Sequence, residues 1–331
     1  MARPARILIL LGVAVLAALL VHLSPGGEAK VGIGGLVREL LHGPGGDSSI
    51  NSIVWDLRLP RGFLCLLVGG LLGAVGSAFQ ALLRNPLADP FVLGVSGGAA
   101  VGSSIAFVLG FGALLGTGVG FVGGMLALSL VYALSRRRGA IDVDRLILAG
   151  TVTGSLLSSV LTLVLLGAGK DTNVVLQRLL GDMSVADWRM DGLLLVTLAI
   201  GFPILMLQSR RLNALALGGD AARRLGVDPA ALTRIVLLTG GFMTAATVGT
   251  VGIVGFLGLV APHLARRLLG VDWRWSLPGS VLIGSLLLVL ADLAAQRTLP
   301  AFGYTGREMP VGAVTSLLGA PTLLALLRKR T

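Results

Sequence analysis

Long apolar runs separated by short polar segments dominate the chain. Ten runs have the length or composition of membrane-spanning helices: 7–23, 62–83, 91–110, 118–135, 145–167, 191–208, 230–250, 252–265, 279–296 and 311–327. Several approach the roughly 20 residues that a helix needs to cross a bilayer, whereas 252–265 is short and interrupted by glycines. The pattern predicts an all-α integral membrane protein with about ten transmembrane helices, forming a single domain over residues 1–331.

The first apolar run admits two interpretations. It follows the basic segment Met1–Arg6, as the core of a signal peptide would. No clear cleavage site of small residues follows it, and many further runs come later, so we expect a retained first helix. The glycine-rich segment Ser24–Asp56 is predicted to be an external loop with one amphipathic helix at Ile33–Leu41.

Composition supports a membrane protein. The 331 residues are 54% hydrophobic and 13% charged, against about 25% charged residues in soluble domains. Glycine occurs 49 times, about twice its usual frequency, and pairs such as Gly69 and Gly73 have the spacing that lets apolar helices approach closely. The one cysteine, Cys65, lies inside an apolar run, which excludes a disulfide framework or a cysteine metal site.

The net charge of +11 suggests a nucleic-acid partner at first. The basic residues lie between the apolar runs, however, rather than on one basic face. With the N-terminus inside, 18 Lys and Arg residues fall on the inner side and nine on the outer side, which is the asymmetry of the positive-inside rule. We therefore expect a multi-pass protein with both termini cytoplasmic, in contact with lipid and not with nucleic acid.

The segment Arg84–Pro90 separates two apolar runs and contains two prolines four residues apart. Each proline moves the preceding residue out of the α region, so the arriving helix must end. Asp89 is then expected to cap the next helix, with Pro90 as its first residue. Irregular backbone in lipid leaves amides unpaired, so this break is predicted to line a water-filled path or to be packed in protein. The alternative is a plain helix hairpin at the membrane surface.

Two further polar segments lie on the predicted inner side, Arg136–Asp144 and Ser209–Asp228. In the second, Asp220 is expected to cap a short helix and Gly226 to end it. A membrane-parallel helix with Ala, Leu and Val on one side and Arg on the other suits docking to a cytoplasmic partner. A solvated amphipathic loop is the alternative.

A set of motifs is similar to the permease family of ABC importers for iron-siderophores, haem and vitamin B12. They occur in order over about residues 55–325: Arg58-Leu-Pro-Arg61, Leu67-Val-Gly-Gly70, Gln80, Arg84–Pro90, Leu93–Gly98, Leu148-Ala-Gly150, Leu215-Ala-Leu-Gly218, Gly252–His263, Ala291-Asp-Leu293, Glu308–Gly312 and Thr315–Pro321. The resemblance implies a type II ABC importer permease of ten spans in a bacterial cytoplasmic membrane.

The same resemblance implies partners. The subunit would pair into a dimer, a homodimer or a heterodimer with a paralogue, with the substrate path along the two-fold axis. Two copies of a separate ATPase would bind inside and hold ATP and Mg, so that no cofactor binds in this chain. A substrate-binding protein would dock outside. The substrate would be an iron complex, a siderophore or haem, or else vitamin B12.

Residue roles follow from matched motif positions. Asn85 and Leu87 would narrow the path, and Val143 and Asp144 match the family's cytoplasmic gate. Residues matching the coupling helices that sit in the ATPase cleft lie within Leu212–Asp228: Leu215, Leu217, Gly218, Asp220, Arg223, Leu225 and Gly226. Residues matching basic contacts to the binding protein are Arg58, Arg61 and Arg297. For Arg58 and Arg61 the alternative is anchoring at the lipid headgroups.

Three positions depart from the family pattern. Gln296 stands where the family often has arginine, with Arg297 one residue later. Asp142 and Asp144 replace common Ser or Thr in the gate loop. Gly219-Asp220 replaces a commoner acidic pair in the coupling region.

Catalytic chemistry finds no support in the sequence. Gly169-Lys170 lacks the glycine and the Ser or Thr of a phosphate-binding loop, and no Ser/His/Asp or paired-carboxylate arrangement occurs. His263 is expected to pack or cap rather than bind metal. Asp292 is an ionisable group inside a span, expected to pair with an arginine or with backbone amides. Transport energy must then come from a partner ATPase or, as an alternative, from an ion gradient as in secondary carriers, for which mid-span acids are nearly absent.

Overall fold

The computed structural model describes residues 2–23, 33–46, 49–137, 140–141, 143–302 and 308–328. Its helices are α1 (Ala2–Leu23), α2 (Ile33–His42), α3 (Ser49–Ser52), α4 (Leu59–Leu82), α5 (Val95–Val108), α6 (Ala113–Ser135), α7 (Val143–Gly167), α8 (Thr172–Leu179), α9 (Trp188–Leu207), α10 (Ser209–Ala216), α11 (Gly219–Arg224), α12 (Pro229–Val251), α13 (Leu257–Leu269), α14 (Trp273–Ala301) and α15 (Val311–Arg328). A π-helical turn, Ile53–Arg58, joins α3 to α4, and two-residue strands β1 (Arg136–Arg137) and β2 (Ala140–Ile141) pair antiparallel.

Each of the ten predicted spans corresponds to a helix of the described chain, which confirms the all-α membrane fold. Seven helices within the described residues are long and apolar enough to cross a bilayer, and α5 and the described start of α15 are shorter apolar helices. The remaining span helix, α13, has 13 residues and carries two arginines, Arg266 and Arg267, in its last turn.

Three predicted boundaries were wrong. The segment 252–256 is not helical, and α13 begins only at Leu257. The helix after the break begins at Val95, because Pro90–Leu93 forms a separate 3-10 turn. The predicted external loop also ended too late, since helix begins at Ser49 and runs through the π-helical turn into α4.

Helix α4 is the centre of the bundle, and nearly all of its residues are buried. Its glycines let neighbouring backbones approach directly, since a Cβ at Gly69 or Gly73 would overlap the backbone of Gly284 or Ser280 in α14. At Gly76 a Cβ would overlap the carbonyl oxygen of Gly258 in α13. The abundant glycine therefore allows backbone-to-backbone packing, as the small-residue spacing predicted.

Non-helical backbone inside the bundle is paired with other backbone. The amide of Asp182 donates to the carbonyl of Val251 at 2.9 Å, and the amide of Ile253 donates to Leu179 at 2.9 Å. The amides of Val311 and Gly312 donate to residues 181 and 180 at 3.0 and 2.9 Å. The backbone groups of these three non-helical segments thus form hydrogen bonds with one another. Non-helical backbone among membrane helices needs such partners, because lipid offers none.

Candidate gate, coupling surface and outer ion-pair cluster

Helix α4 ends in a tight turn at the start of the Arg84–Pro90 break. The amide of Arg84 donates to Ala81 at 3.3 Å and the amide of Asn85 to Gln80 at 3.2 Å. These two bonds form the Schellman pattern, whose left-handed position is usually glycine. Here it is Arg84, with φ of 49°, at a cost of about 1–2 kcal/mol. No pattern in the sequence predicts this strained arginine.

Two Asx turns, at Asn85 and Asp89, shape the rest of the break. The Asn85 side chain accepts a hydrogen bond from the amide of Leu87 at 2.9 Å, and both residues are exposed. Asp89 accepts one from the amide of Phe91 at 2.9 Å. Asp89 therefore caps the 3-10 turn rather than the α-helix, which corrects the prediction, because Gly94 in the left-handed region separates the turn from α5. Burial, partly opposed by this amide, raises the pKa of Asp89 to about 6.

The second predicted gate segment leads into α7, which begins at Val143. Val143 is half-buried and Asp144 is exposed. Arg136 and Ile141 pair across the β1–β2 hairpin just before it, while Asp142 lies outside the described residues. The gate role of Val143 and Asp144, like that of Asn85 and Leu87, stays a prediction.

The predicted coupling segment forms two short helices rather than one. Leu215 is buried beneath α10, whereas Leu217 and Leu225 are 71% and 62% exposed. Gly218, with φ of 114°, separates α10 from α11. Asp220 was predicted to cap α11, and this prediction is wrong because Asp220 lies inside the helix. Its Oδ1 lies 3.4 Å from Nη1 of Arg223, one turn later.

Gly226 ends α11 as predicted. It adopts φ of 76°, its amide donates to Arg223 at 3.0 Å, and the amide of Val227 donates to Ala222 at 2.9 Å. These bonds form the Schellman pattern with the glycine that this position favours. The same geometry thus occurs with glycine here and with strained Arg84 at the end of α4.

Polar contacts connect these segments into one surface, which we call the coupling face: Arg84–Pro90, α10, α11 and the turn between α13 and α14. A Cβ at Gly219 would lie 3.8 Å from Nη2 of Arg84, so the strained arginine sits beside α11. Asn213 of α10 donates to Oδ1 of Asp272 at 2.8 Å and accepts from the amide of Trp273 at 3.1 Å.

Asp272 is held further by its neighbours on the coupling face. Arg274 donates from Nε and Nη2 to Oδ2 at 3.0 and 2.7 Å. These bonds, with the hydrogen bonds from Arg274 the strongest cause, lower the pKa of Asp272 to about 2.

Deeper in the bundle, Gln80 connects α4 to α13. Its side-chain amide donates to the carbonyl of Gly258 at 3.1 Å and accepts from Arg266 at 2.6 Å. Gln80 and Gly258 lie in the family motifs, whereas Arg266, Asp272 and Arg274 were not predicted from the sequence to take part in contacts.

At the other end of α4, Asp292 is the centre of what we call the Asp292 cluster: His22, Arg61, Asp292, Gln296 and Glu308. Arg61 donates from Nε to Oδ2 at 2.9 Å and from Nη2 to Oδ1 at 2.8 Å. Nε2 of His22 lies 2.8 Å from Oδ2, and Gln296 donates to Oδ2 at 2.7 Å. Asp292 is fully buried, and the predicted pairing with an arginine is confirmed.

Arg61 is engaged within the chain rather than presented outward. Its side chain is only 16% exposed, and Nη2 also lies 2.7 Å from Oε2 of Glu308. Arg58 donates to the carbonyl of Leu23 at 3.1 Å, and Arg297 is exposed. A docking role for the three arginines stays a prediction. For Arg61 such a role requires a carboxylate to share or replace the bond to Glu308.

The side chains of His22, Cys65 and Asp292 lie within 4.8 Å of one another, the spacing of a metal site. The residues present do not suit a cation, because the Arg61 guanidinium already contacts both oxygens of Asp292. A metal ion there would have to displace a positive charge from its counter-ion. The cluster is therefore a structural ion-pair network that connects α1, α4, α14 and the segment just before α15.

Helix α7 carries exposed hydroxyl side chains on one side, which we call the hydroxyl face and which the other described residues do not cover; the exposed Leu148 and Leu166 lie on the same side. Its five members are exposed hydroxyl side chains spaced at i, i+4, i+7, i+8 and i+11: Thr151, Ser155, Ser158, Ser159 and Thr162. This spacing puts them on one side of the helix. Four of them donate to carbonyls of the preceding turn, for example Thr162 to Ser158 at 3.0 Å. This face was not predicted from the sequence.

The bundle, its broken helices and the paired short helices α10 and α11 define a type II ABC importer permease. A solved inward-facing metal-chelate type ABC transporter superposes with a TM-score of 0.85 and 29% identity, covering 98% of this chain and 99% of that one. The family model of the FecCD transport family matches residues 8–329. The chain therefore belongs to the FecCD transport family.

Named relatives agree with this assignment. The uncharacterized ABC transporter permease protein YvrB of Bacillus subtilis is 35% identical over 287 residues, 85% of this chain and 80% of YvrB. The cobalamin import permease BtuC of Halobacterium salinarum is 36% identical over 279 residues, 84% of this chain and 74% of that protein. The vitamin B12 import permease BtuC of Salmonella typhi is 36% identical over 279 residues, 83% of each chain.

Proposed function

We propose that this chain is the permease subunit of an ATP-driven importer that moves a metal chelate or corrinoid, an iron complex or vitamin B12, into the bacterial cytoplasm. The substrate class is supported by the relatives named for vitamin B12 import and the metal-chelate transporter with the same fold. Within this class, siderophore, haem and corrinoid are distinguished by the uptake experiment below.

The observation that best supports this proposal is the hydroxyl face of α7. Polar side chains at the depth of the bilayer are expected to face protein or water rather than lipid. Two copies of the chain facing each other through α7 would give these hydroxyl groups such surroundings, along a shared two-fold axis. A homodimer satisfies this arrangement with a single gene product, and a paralogue with a similar α7 would satisfy it as a heterodimer.

The ATPase would act on the permease at the coupling face. Leu217 and Leu225 are exposed next to the arginines of α11, a surface suited to insertion into a cleft of an ATPase that binds ATP and Mg. Arg84 beside Gly219 and Asn213 bonded to Asp272 connect this surface to the ends of α4 and α14. Movement of α10 and α11 would therefore change the break at Asn85 and Leu87. A substrate-binding protein would dock at the other end of the bundle, near Arg58 and Arg297.

Reconstituted transport tests the proposal. The permease co-expressed with its ATPase is placed in liposomes with its binding protein, and uptake of labelled cyanocobalamin, haem and ferric siderophores is measured. We expect uptake of one class only, dependent on ATP and sensitive to vanadate. Uptake driven by an ion gradient without nucleotide would contradict the proposal and favour a secondary carrier.

A paired variant tests the coupling surface. Leu217→Ser with Leu225→Ser should abolish co-purification of the ATPase while leaving the folded permease intact, because both side chains are exposed. Leu114→Ser, at an exposed leucine on α6, is the matched control. Loss of the ATPase in the control as well would show that the effect is not specific to α10 and α11.

A further inference from the structure

A cavity of about 40 Å³ lies between α5, α6, α8 and α12. Met190 lines it, and Trp188, two residues earlier, contacts Phe63 of α4 with ring centroids 5.7 Å apart. The cavity therefore lies at the same end of the bundle as the Asp292 cluster. One water molecule needs at least about 10–15 Å³, so the cavity accepts a few water-sized groups and excludes a metal chelate or corrinoid.

Hydroxyl groups in this cavity have hydrogen bonds left to donate. Ser103 and Thr250 already donate to carbonyls of their own helices, at 3.2 and 2.8 Å. Ser104 lines the cavity and is only 4% exposed, and its hydroxyl has no hydrogen-bond partner among the described residues. Thr117 is equally buried and donates only to the sulfur of Met190 at 3.8 Å, which is a weak acceptor. Since buried polar groups are normally paired, the last two hydroxyls indicate a ligand that accepts hydrogen bonds.

Arg178 brings a positive charge to the same cavity. Its guanidinium carbon lies 4.6 Å from the centre of the Phe107 ring, and both residues line the cavity. No acidic residue of the described chain forms an ion pair with Arg178, whereas Arg61, Arg223 and Arg274 all have such partners. None of the lining residues is acidic. The guanidinium therefore has donors left for an anion.

Helix α6 begins at this cavity with amides that no side chain caps. Its first residue, Ala113, lines the cavity, and Gly112 before it provides no cap. The amide of Gly116 donates to Gly112 at 2.9 Å, so the amides of residues 113–115 have no partner within the helix. The N-terminus of this 23-residue helix carries a partial positive charge, which favours an anion.

We propose that the cavity binds one chloride-sized monovalent anion, held by Arg178, Ser104, Thr117 and the first amides of α6. All of these groups donate hydrogen bonds, and the net charge around the cavity is positive. The ion joins three helices, because Arg178 belongs to α8, Ser104 to α5 and Thr117 to α6. Its binding therefore holds α8 against the rest of the bundle.

Thermal unfolding of the purified protein in detergent tests the proposal. Sodium chloride replaces sodium gluconate at constant ionic strength, so screening stays constant, and the six-carbon gluconate chain does not fit the cavity. We expect chloride to raise the unfolding temperature until the site is saturated. Arg178→Gln should raise the half-saturating chloride concentration at least about tenfold, and Arg178→Lys, which keeps the charge, should raise it less. Arg189→Gln is the matched control, because Arg189 is an exposed arginine at the same end that does not line the cavity.

A second pair of variants tests the buried hydroxyl. Ser104→Ala removes one donor and should raise the half-saturating chloride concentration about twofold to tenfold. Ser96→Ala should leave it unchanged, because Ser96 is equally buried on α5 but does not line the cavity. Unfolding that does not depend on chloride would overturn the proposal. Equal effects of the two serine variants, or of Arg178→Gln and Arg189→Gln, would do the same.

Amide hydrogen exchange tests the link to α8. Chloride should slow exchange in α8 and leave α10 unchanged, because α10 is a helix of the same length at the opposite end of the bundle. Equal slowing in both helices would mean that chloride acts on the whole protein, and would overturn the proposal. These measurements involve neither nucleotide nor transport, so a failure of the proposed function would leave their result standing.

Discussion

The two ends of α4 are held in different ways. At its start, Arg61 is fixed by charged hydrogen bonds to Asp292 and Glu308 and is largely buried. At its end, the chain turns through Arg84 in a left-handed conformation, held by backbone hydrogen bonds at 3.3 and 3.2 Å. Charged hydrogen bonds in a buried site are roughly twice as strong as neutral ones.

This difference assigns separate tasks to the two ends. The Asp292 cluster joins four segments of the bundle and resists rearrangement, because separating its partners leaves a charge buried without a counter-ion. The break at Arg84–Pro90 stores backbone strain beside exposed Asn85 and Leu87, and strain of this kind is common in segments that switch. We therefore expect the coupling-face end of α4 to move and the other end to stay fixed.

The largest effect is expected at the fixed end. Asp292→Asn removes the negative charge between Arg61 and His22 and should destabilise the protein by about 3–5 kcal/mol. The midpoint of unfolding in a detergent titration measures it. Glu308→Gln is the control, because Glu308 is 45% exposed and its bond to Arg61 can be replaced by water. A loss from Glu308→Gln as large as that from Asp292→Asn would show that burial does not set the strength of this cluster.

The moving end should respond to pH through Asp89. Its pKa is about 6 in the folded protein, above its ordinary value of 3.8, so the folded state binds the proton more tightly than the unfolded state. The contribution of Asp89 to stability is therefore greatest below about pH 4 and is lost as the pH rises through about 6, by at most about 3 kcal/mol. Asp89→Asn keeps the acceptor for the Phe91 amide and should flatten this part of the profile.

Thermal unfolding at pH 4.5 and pH 7.5 measures the difference between the two proteins. Asp228→Asn makes the same change at an exposed Asp-Pro cap, where the side chain accepts from the amide of Ala230 at 2.9 Å. It controls for loss of a charged cap in itself. A wild-type profile that rises between pH 4 and pH 6 relative to Asp89→Asn would contradict the prediction.

The sequence was most informative where hydropathy and turn chemistry act locally. Ten apolar runs predicted ten helices, and the prolines at 86 and 90 predicted where α4 stops. Glycine at 226 predicted the end of α11, because only a residue tolerant of positive φ fits there easily. Each of these features is determined by a few neighbouring residues, so its signal is contained in one short segment.

Contacts between distant segments were harder to predict. Asn213 with Asp272, and Arg61 with Glu308, are 59 and 247 residues apart in the sequence, and neither pairing has a local pattern. Glu308 had been named only as the start of a family motif, and Arg61 was expected to contact the binding protein. The family motifs marked these positions without indicating that they meet. The spacing of the hydroxyl residues on α7 is visible in the sequence, but which side of the helix the bundle leaves exposed depends on the same long-range packing.

Relieving the strain at Arg84 should stabilise the moving end slightly. Arg84→Gly removes the left-handed penalty but adds freedom to the unfolded chain, so we expect a gain below about 1 kcal/mol. Arg84→Ala is the matched variant, since it keeps the penalty and removes only the guanidinium beside Gly219. If coupling to the ATPase depends on that guanidinium, both variants should lose it equally in reconstituted transport. If only Arg84→Gly loses it, the stored strain rather than the side chain carries the coupling.

The smallest effect is expected for the ion pair on α11. Asp220 and Arg223 have the same chemistry as Asp292 and Arg61, but they are 92% and 69% exposed and 3.4 Å apart. Water screens such a pair, so Asp220→Asn should change the free energy of unfolding by less than about 0.5 kcal/mol. The same detergent titration that measures Asp292→Asn measures it, and added salt should leave the result unchanged. A loss comparable with that from Asp292→Asn would mean that a partner buries this surface in the purified protein, and that the contrast between the two ends of α4 depends on the assembly rather than on the chain alone.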